Sequence, residues 1–150
     1  MAHSFASLYY HIVFSTKDRR PFITPELRPR LAAYMGGILR QHRGALLDLN
    51  GTADHTHLLG SLHRDMAVSE AVRLVKANTT NWIHATFPEL QQFAWQEGYG
   101  AFSLSYAGLD RVKAYFAGQE EHHRRVTFQE EFIGFLKQHQ ISYDERYIWE

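Results

Sequence analysis

The chain has 150 residues, of which 45% are hydrophobic and 21% charged, and its formal net charge at pH 7 is zero, as in many globular domains with a sizeable core. It contains no cysteine, which excludes disulfides and thiolate metal sites, and no apolar run near the roughly 20 residues of a membrane-spanning helix. The N-terminus lacks the basic and apolar regions of a secretory signal, so we expect a cytoplasmic protein without a membrane partner.

The first elements along the chain are a strand and a helix. "LYYHIVFST", residues 8–16, is rich in β-branched and aromatic residues and predicts a strand. Thr24 as a cap and Pro25 at the first helical position predict a helix that ends near residues 42–44. One face of this helix is apolar and consists of Leu27, Leu31, Tyr34, Met35 and Ile38.

A hairpin is predicted next. "ALLDLNGT", residues 45–52, predicts a second strand that turns at Asn50-Gly51, a common hairpin signal. "HTHLLGSL", residues 55–62, is the expected partner strand.

The second half of the chain continues with alternating helices and strands. A helical apolar pattern covers about residues 67–87 and is closed by Pro88. "YGAFSLS", residues 99–105, predicts a fourth strand, and a helix is expected over about residues 109–122. A capping box at residues 127–130 predicts a last helix, whose buried side consists of Phe132, Phe135 and Leu136.

The resulting order, β-α-β-β-α-β followed by two helices, is that of an α+β, ferredoxin-like (split βαβ) fold. Such a fold has an antiparallel sheet with two helices on one face. The other face stays open unless the added helices or a partner cover it. The tail "ISYDERYIWE" has no predicted element.

His55 and His57 are the first candidates for chemistry. Side chains alternate along a strand, so both imidazoles project from one face, about 7 Å apart, and can reach one metal ion. The alternative is two surface histidines at the entrance of a strand, since two ligands alone do not make a site.

Tyr115 and Gln119 lie four residues apart on the predicted helix and would share one of its faces. Glutamine offers a neutral oxygen ligand for a hard cation, and the tyrosine phenol can act as a nucleophile. The alternative for Tyr115 is a packing residue whose hydroxyl reaches water. His122 and His123 could instead complete a zinc site with the other histidines.

Basic residues are unevenly distributed. Residues 17–43 contain seven basic and two acidic side chains, whereas residues 129–150 contain two basic and five acidic ones. The first segment is either a polyanion-binding surface or a solvated face. The candidate phosphate contacts are Lys17, Arg19, Arg20, Arg111, Lys113, Arg124 and Arg125. Tyr9, Tyr10 and Phe14 either stack bases or belong to the core, and His11 lines the site or packs.

Four stretches, "YYHIVFSTKDRRPF", "DHTHLLGSL", "GYGAFSLS" and "VKAYFAGQEEHHRR", together resemble the HUH single-tyrosine transposases of bacterial insertion sequences. That family includes the REP-associated tyrosine transposases. The resemblance covers about residues 8–123 in the correct order. It implies a single HUH-type transposase domain over residues 1–150, with a core at 8–123 and a C-terminal helix and tail at 127–150.

The resemblance also implies a site and a reaction. His55, His57 and Gln119 would bind Mg²⁺ or Mn²⁺, and Tyr115, on a C-terminal catalytic helix, would attack single-stranded DNA marked by a hairpin, leaving a 5′-phosphotyrosine link. The middle residue of the His-x-His motif is usually hydrophobic in the family but is Thr56 here. The family also implies a homodimer, in which the tyrosine helix can complete the partner's site.

Three other functions fit parts of the same pattern. The chain could be a domesticated hairpin-DNA-binding protein that no longer cuts, or a small metal-dependent hydrolase that uses His55 and His57. It could also be a ferredoxin-like structural or ligand-sensing dimer without affinity for DNA.

Overall fold

A computed structural model describes residues 3–149 of the chain. Met1 and Ala2 of the N-terminal segment and Glu150 of the acidic C-terminal segment lie outside the described residues. The strands are Tyr9–Ser15 (β1), Ala45–Thr52 (β2), His55–Ser61 (β3) and Gly100–Leu104 (β4). The helices are Leu27–Gln41 (α1), Val68–Thr86 (α2), Leu109–Ala117 (α3), Gln119–His123 (α4) and Phe128–Gln138 (α5).

The four strands form one antiparallel sheet in the order β2-β3-β1-β4. β1 and β3 are therefore the central strands, each paired on both sides. This order, with α1 after β1 and α2 after β3, is the split βαβ arrangement. The predicted α+β, ferredoxin-like fold is confirmed.

The main core lies between one face of the sheet and the helices α1 and α2. Ile12 and Phe14 of β1 point into it, because alternate residues of a strand share a face. Leu31 of α1 and Val75 of α2 meet them there and are almost fully buried. Phe14 is therefore a core residue, and Tyr10 packs against the same cluster.

The opposite face of the sheet is covered by the chain's own last helices. Val13 packs there against Phe132 of α5, and Leu59 packs against Phe116 of α3. Tyr9 also packs on this side, near Leu59. Because α3 and α5 bury this face, the added helices of the chain itself cover it, which is one of the two ways in which it was expected to be closed.

The hairpin turn lies later than predicted. β2 runs on through Asn50 and Gly51 to Thr52, and the chain reverses at residues 53–54. Gly51 is therefore part of the strand and not of the turn. It pairs with Thr56, and a Cβ at position 51 would overlap the backbone oxygen of His55. Close approach of β3 therefore requires glycine at this position.

This contact predicts a stability difference between two glycines. Gly51→Ala is expected to lower the free energy of unfolding by about 1–3 kcal/mol, because the added methyl group overpacks the hairpin backbone. Gly134→Ala is the control: it lies in α5, where an added Cβ would have nothing within 4 Å, and should be neutral or stabilising. Urea unfolding of both variants measures the difference, and equal stabilities would contradict this role of Gly51.

Two predicted helices have different bounds in the structure. α1 begins at Leu27 rather than at Pro25, and the Leu27 backbone N–H donates to Thr24 Oγ1 at 3.1 Å. The helix expected at residues 109–122 is interrupted at Gly118. Tyr115 and Gln119 consequently lie on two successive helices, α3 and α4, and not on one face of a single helix.

The C-terminal tail lies against the second face. Tyr143 and Trp149 pack against the cluster that contains Phe132, and the guanidinium of Arg19 lies 5.9 Å from the centre of the Trp149 ring. Among the residues described, no helix combines the length and apolar character that crossing a membrane would require.

Candidate active site

The two histidines of the His-x-His motif lie at the start of β3, on the face covered by α3, α4 and α5. Their relative exposures are 1% for His55 and 0% for His57. The alternative of two surface histidines at a strand entrance is therefore wrong. Burying polar imidazoles costs free energy unless they have partners, so their contacts decide what the site can do.

Each of three buried or nearly buried imidazoles has a partner at its Nδ1 atom. For His55 and His123 this partner is an acceptor, so in the neutral ring a proton on Nδ1 can be donated to it and the Nε2 lone pair is left available, whereas between His57 and His11 the direction depends on the tautomer. The three contacts are His55 Nδ1 to Asp54 Oδ1 (2.8 Å), His57 Nδ1 to His11 Nε2 (2.7 Å) and His123 Nδ1 to the Val126 carbonyl oxygen (2.7 Å).

His11 lies behind His57 rather than in the open. Its ring is 5% exposed and lies against the rings of Phe116 and Phe135, with centroid distances of 5.3 and 5.0 Å. Burial, followed by the charge of His57, lowers the pKa of His11 to about 3, so its ring is neutral near neutral pH, and one hydrogen bond joins its Nε2 to His57 Nδ1. His11 therefore both packs and fixes the orientation of His57.

The Nε2 atoms of the three imidazoles converge on Glu131 of α5. Glu131 Oε1 lies 2.9 Å from His57 Nε2, 3.2 Å from His123 Nε2 and 3.4 Å from His55 Nε2. The donor atoms of these four residues all lie within 4.8 Å of one another. We call His55, His57, His123 and Glu131 the histidine–glutamate cluster. Its nitrogen and oxygen donors suit a divalent cation.

Glu131 was not predicted as a site residue, although the sequence contains a signal for it. The capping box directed attention to its neighbour Glu130, which bonds Thr127 as predicted. Glu131 falls on the apolar face of α5, three residues after Phe128 and one before Phe132. A carboxylate on a buried helical stripe requires partners, and that conflict marks it as a functional candidate.

Tyr115 and Gln119 reach the same cluster from α3 and α4. The Tyr115 hydroxyl donates to Glu131 Oε2 and lies 3.4 Å from His122 Nε2. Gln119 is fully buried; its Oε1 lies 3.0 Å from His55 Nε2, and its Nε2 donates to Glu131 Oε2 at 3.0 Å. The structure thus brings Tyr115, Gln119 and both motif histidines together.

The electrostatics of the cluster are those of an anion surrounded by imidazoles. Burial raises the pKa of Glu131, but its contacts with the imidazoles of His123, His55 and His57 outweigh burial and hold the pKa well below its usual range. Burial likewise opposes protonation of His55, yet hydrogen bonds to Asp54 and Glu131 raise its pKa to about 9.

His57 in the cluster and Tyr115 beside it are held in their neutral forms. Burial lowers the pKa of His57 in spite of the nearby Glu131 carboxylate. Burial also raises the pKa of the Tyr115 phenol, and the adjacent negative charge of Glu131 raises it further. The Tyr115 phenol therefore keeps its proton at rest.

An open groove of about 670 Å³ lies beside the cluster. Arg19 and Arg124 line it together with Asp54 and His123, so two of the expected phosphate contacts face a path to the buried donors. Arg124 also pairs with Glu121 at 2.7 Å. The other expected contacts are exposed and lie outside the groove: Lys17, Arg20, Arg111, Lys113 and Arg125.

Comparisons with known proteins agree with this architecture. The sequence profile of the family described as "Transposase IS200 like" matches residues 4–119. The ISDra2 transposase TnpA of Deinococcus radiodurans is 24% identical over 88 residues, which are 59% of this chain and 63% of that protein. The matched part of this chain thus spans less than two thirds of that relative.

Two solved structures have a similar fold. A Deinococcus radiodurans R1 protein assigned as a transposase superposes with a TM-score of 0.64 at 21% identity, covering 79% of this chain and 96% of that one. A REP-associated tyrosine transposase bound to a REP hairpin has a TM-score of 0.59 at 14% identity, covering 84% of this chain and 76% of that one. The profile match, which covers most of its length, shows that the chain belongs to the IS200-like transposase family.

Proposed function

We propose that this protein cleaves and rejoins single-stranded DNA at hairpin-marked ends through a 5′-phosphotyrosine intermediate. The observation that carries the proposal is the shared carboxylate of Glu131, which accepts from the Tyr115 hydroxyl on one oxygen and contacts His57 on the other. A phenol and a pair of oriented imidazoles thus meet in one buried cluster. Membership of the transposase family gives the reaction class.

We assign the cation-holding role to His55, His57 and Gln119, with Mg²⁺ or Mn²⁺ as the ion. When bound, a divalent cation polarises a non-bridging oxygen of the scissile phosphate and stabilises the charge that develops on it. The chain's contribution is orientation: Asp54 and His11 hold the two rings so that Nε2 faces the cluster. The amide oxygen of Gln119 already lies beside His55 Nε2.

Tyr115 is the proposed nucleophile. Its hydroxyl donates to Glu131 Oε2, which orients the phenol oxygen, and the proton leaves the phenol as that oxygen attacks phosphorus. The Tyr115 oxygen–phosphorus bond forms while the bond from phosphorus to the 3′ oxygen breaks, and that oxygen takes up the proton as a 3′-hydroxyl. The reverse attack by a 3′-hydroxyl on the phosphotyrosine link rejoins strands without an external energy source.

The DNA path follows from the position of the groove. Arg19 and Arg124 line it beside Asp54 and His123, so we assign them to the phosphates nearest the scissile bond. The exposed residues Lys17, Arg20, Arg111, Lys113 and Arg125 would contact phosphates farther away. The hairpin in the substrate is supported by the structural neighbour that is bound to a REP hairpin.

We further propose that residues 1–150 act as one domain of this type and that two copies associate during the reaction. One Tyr115 per chain permits one phosphotyrosine link, whereas joining two ends requires two links. In this structure Tyr115 lies against the His57 of its own chain, with ring centroids 5.9 Å apart. Each copy can therefore carry out its own cleavage.

The proposal is tested with hairpin oligonucleotides that carry one label on either side of the expected cleavage point. In the presence of Mn²⁺, the fragment that begins with the 5′-phosphate should become covalently attached to the protein, and the other fragment should be released with a 3′-hydroxyl. A chelator should abolish both products. Tight hairpin binding without cleavage would instead indicate a DNA-binding protein, and cleavage of small esters without attachment would indicate a hydrolase.

A further inference from the structure

The cation site contains two donors, His123 and Glu131, that the proposed function does not assign as ligands. His123 Nε2 is buried and has no hydrogen-bond partner among residues 3–149, although Glu131 Oε1 lies 3.2 Å away. The other ring nitrogen, Nδ1, is fixed by the Val126 carbonyl oxygen. An orphaned ring nitrogen that faces three other donors is the arrangement expected of a ligand.

We propose that His123 and Glu131 complete, with His55 and His57, a four-ligand centre that takes a first-row transition ion in preference to Mg²⁺. The inference rests on the proposed function and narrows the cation of that same site. In this centre Gln119 is not a ligand but a positioning residue, because its amide N–H donates to Glu131 Oε2.

The chemistry of the donors supports this selectivity. Three imidazole nitrogens and one carboxylate oxygen form a nitrogen-rich set, which suits manganese, cobalt and zinc ions increasingly well. Mg²⁺ prefers oxygen ligands in octahedral geometry and keeps several of its waters. A buried centre with three imidazoles offers Mg²⁺ few oxygen ligands and little room for its waters.

The burial of Glu131 is a second argument. Its side chain is only 2% exposed, and every imidazole of the cluster has Nε2 within 3.4 Å of Oε1. A buried carboxylate without a compensating charge is costly. A bound cation supplies that charge directly and joins β3, α4 and α5, so cation binding should also raise the unfolding temperature.

The test is titration of the metal-free protein with Co²⁺. We expect one ion per chain and a higher unfolding temperature. We also expect a visible absorption band typical of four-coordinate Co²⁺ with nitrogen and oxygen ligands. Excess Mg²⁺ should not displace the ion. His123→Gln and Glu131→Gln should each weaken Co²⁺ binding by at least about tenfold. Controls are Glu89→Gln, an exposed residue after α2, and His63→Gln, which follows the far end of β3.

The outcomes separate this inference from the proposed function. If both His123→Gln and Glu131→Gln bind Co²⁺ as the wild type does, or if Mg²⁺ displaces Co²⁺ readily, the four-ligand centre is overturned even if DNA cleavage is observed. If Co²⁺ binds as described while no DNA becomes attached under any cation, the centre stands and the proposed function fails. Circular dichroism of each variant shows that loss of binding does not reflect unfolding.

Discussion

Replacing Tyr115 with phenylalanine is expected to abolish covalent attachment to hairpin DNA altogether. The substitution removes only the hydroxyl oxygen that donates to Glu131, and no other group at the cluster can form a phosphotyrosine link. Because the ring is retained, its packing against His57 should persist. Labelled hairpin oligonucleotides followed by denaturing electrophoresis measure the attachment.

Two controls accompany this variant. Tyr106→Phe removes the hydroxyl of a tyrosine that is 72% exposed and should leave attachment unchanged. Hairpin affinity of Tyr115→Phe should equal that of the wild type, since the residue is not a proposed phosphate contact. Retention of attachment by Tyr115→Phe would mean that another nucleophile acts.

Phe116→Ala is expected to have the largest effect on stability, about 3–5 kcal/mol. Its ring is completely buried between α3 and the sheet, where it lies 5.4 Å from the His57 ring centre. Its backbone oxygen also accepts from Asn50 Nδ2 at 2.7 Å, which ties α3 to β2. The cavity should loosen α3 and misplace the adjacent Tyr115, so DNA attachment should fall as well.

Urea unfolding measures the stability of this variant against a matched phenylalanine. Phe5 is 95% exposed, and Phe5→Ala should change the free energy of unfolding by no more than about 0.5 kcal/mol. A loss below about 1 kcal/mol for Phe116→Ala would show that α3 is held to the sheet by other contacts.

Local patterns in the sequence account for most of the fold. Strand alternation placed His55 and His57 on one face, and that face is where both rings lie. The helical stripe of α1 and the capping box before α5 also have direct structural counterparts. These features depend on residues within a few positions of one another, which is why single-sequence reasoning reaches them.

The features that were missed depend on distant partners. Glu131 lies 74 residues from His57 in the sequence, and no residue near Glu131 indicates that His57 is its partner. Gly51 was assigned to a turn, because the Asn-Gly pair is a turn signal. Its actual role depends on the carbonyl oxygen of His55 on the facing strand, and that contact exists only once the strands are paired. The break between α3 and α4 falls at Gly118, and glycine is a common helix terminator, so this one feature did have a local signal.

The packing of α5 on the histidine-bearing face of the sheet also could not be predicted from the sequence. The sequence contained the apolar residues of α5, but not the information that they pack on the histidine side. Once Phe128 and Phe132 lie there, Glu131 between them must face the imidazoles. One helix thus closes the face and adds a carboxylate to the cluster.

The proposed reaction depends on Tyr115 becoming joined to DNA beside the two motif histidines. Tandem mass spectrometry of the protein, digested after incubation with Mn²⁺ and a hairpin oligonucleotide, tests this directly. We expect a nucleotide-bearing peptide whose modified residue is Tyr115. A nucleotide on any other residue, or cleaved DNA with every tyrosine unmodified, would contradict the proposed reaction.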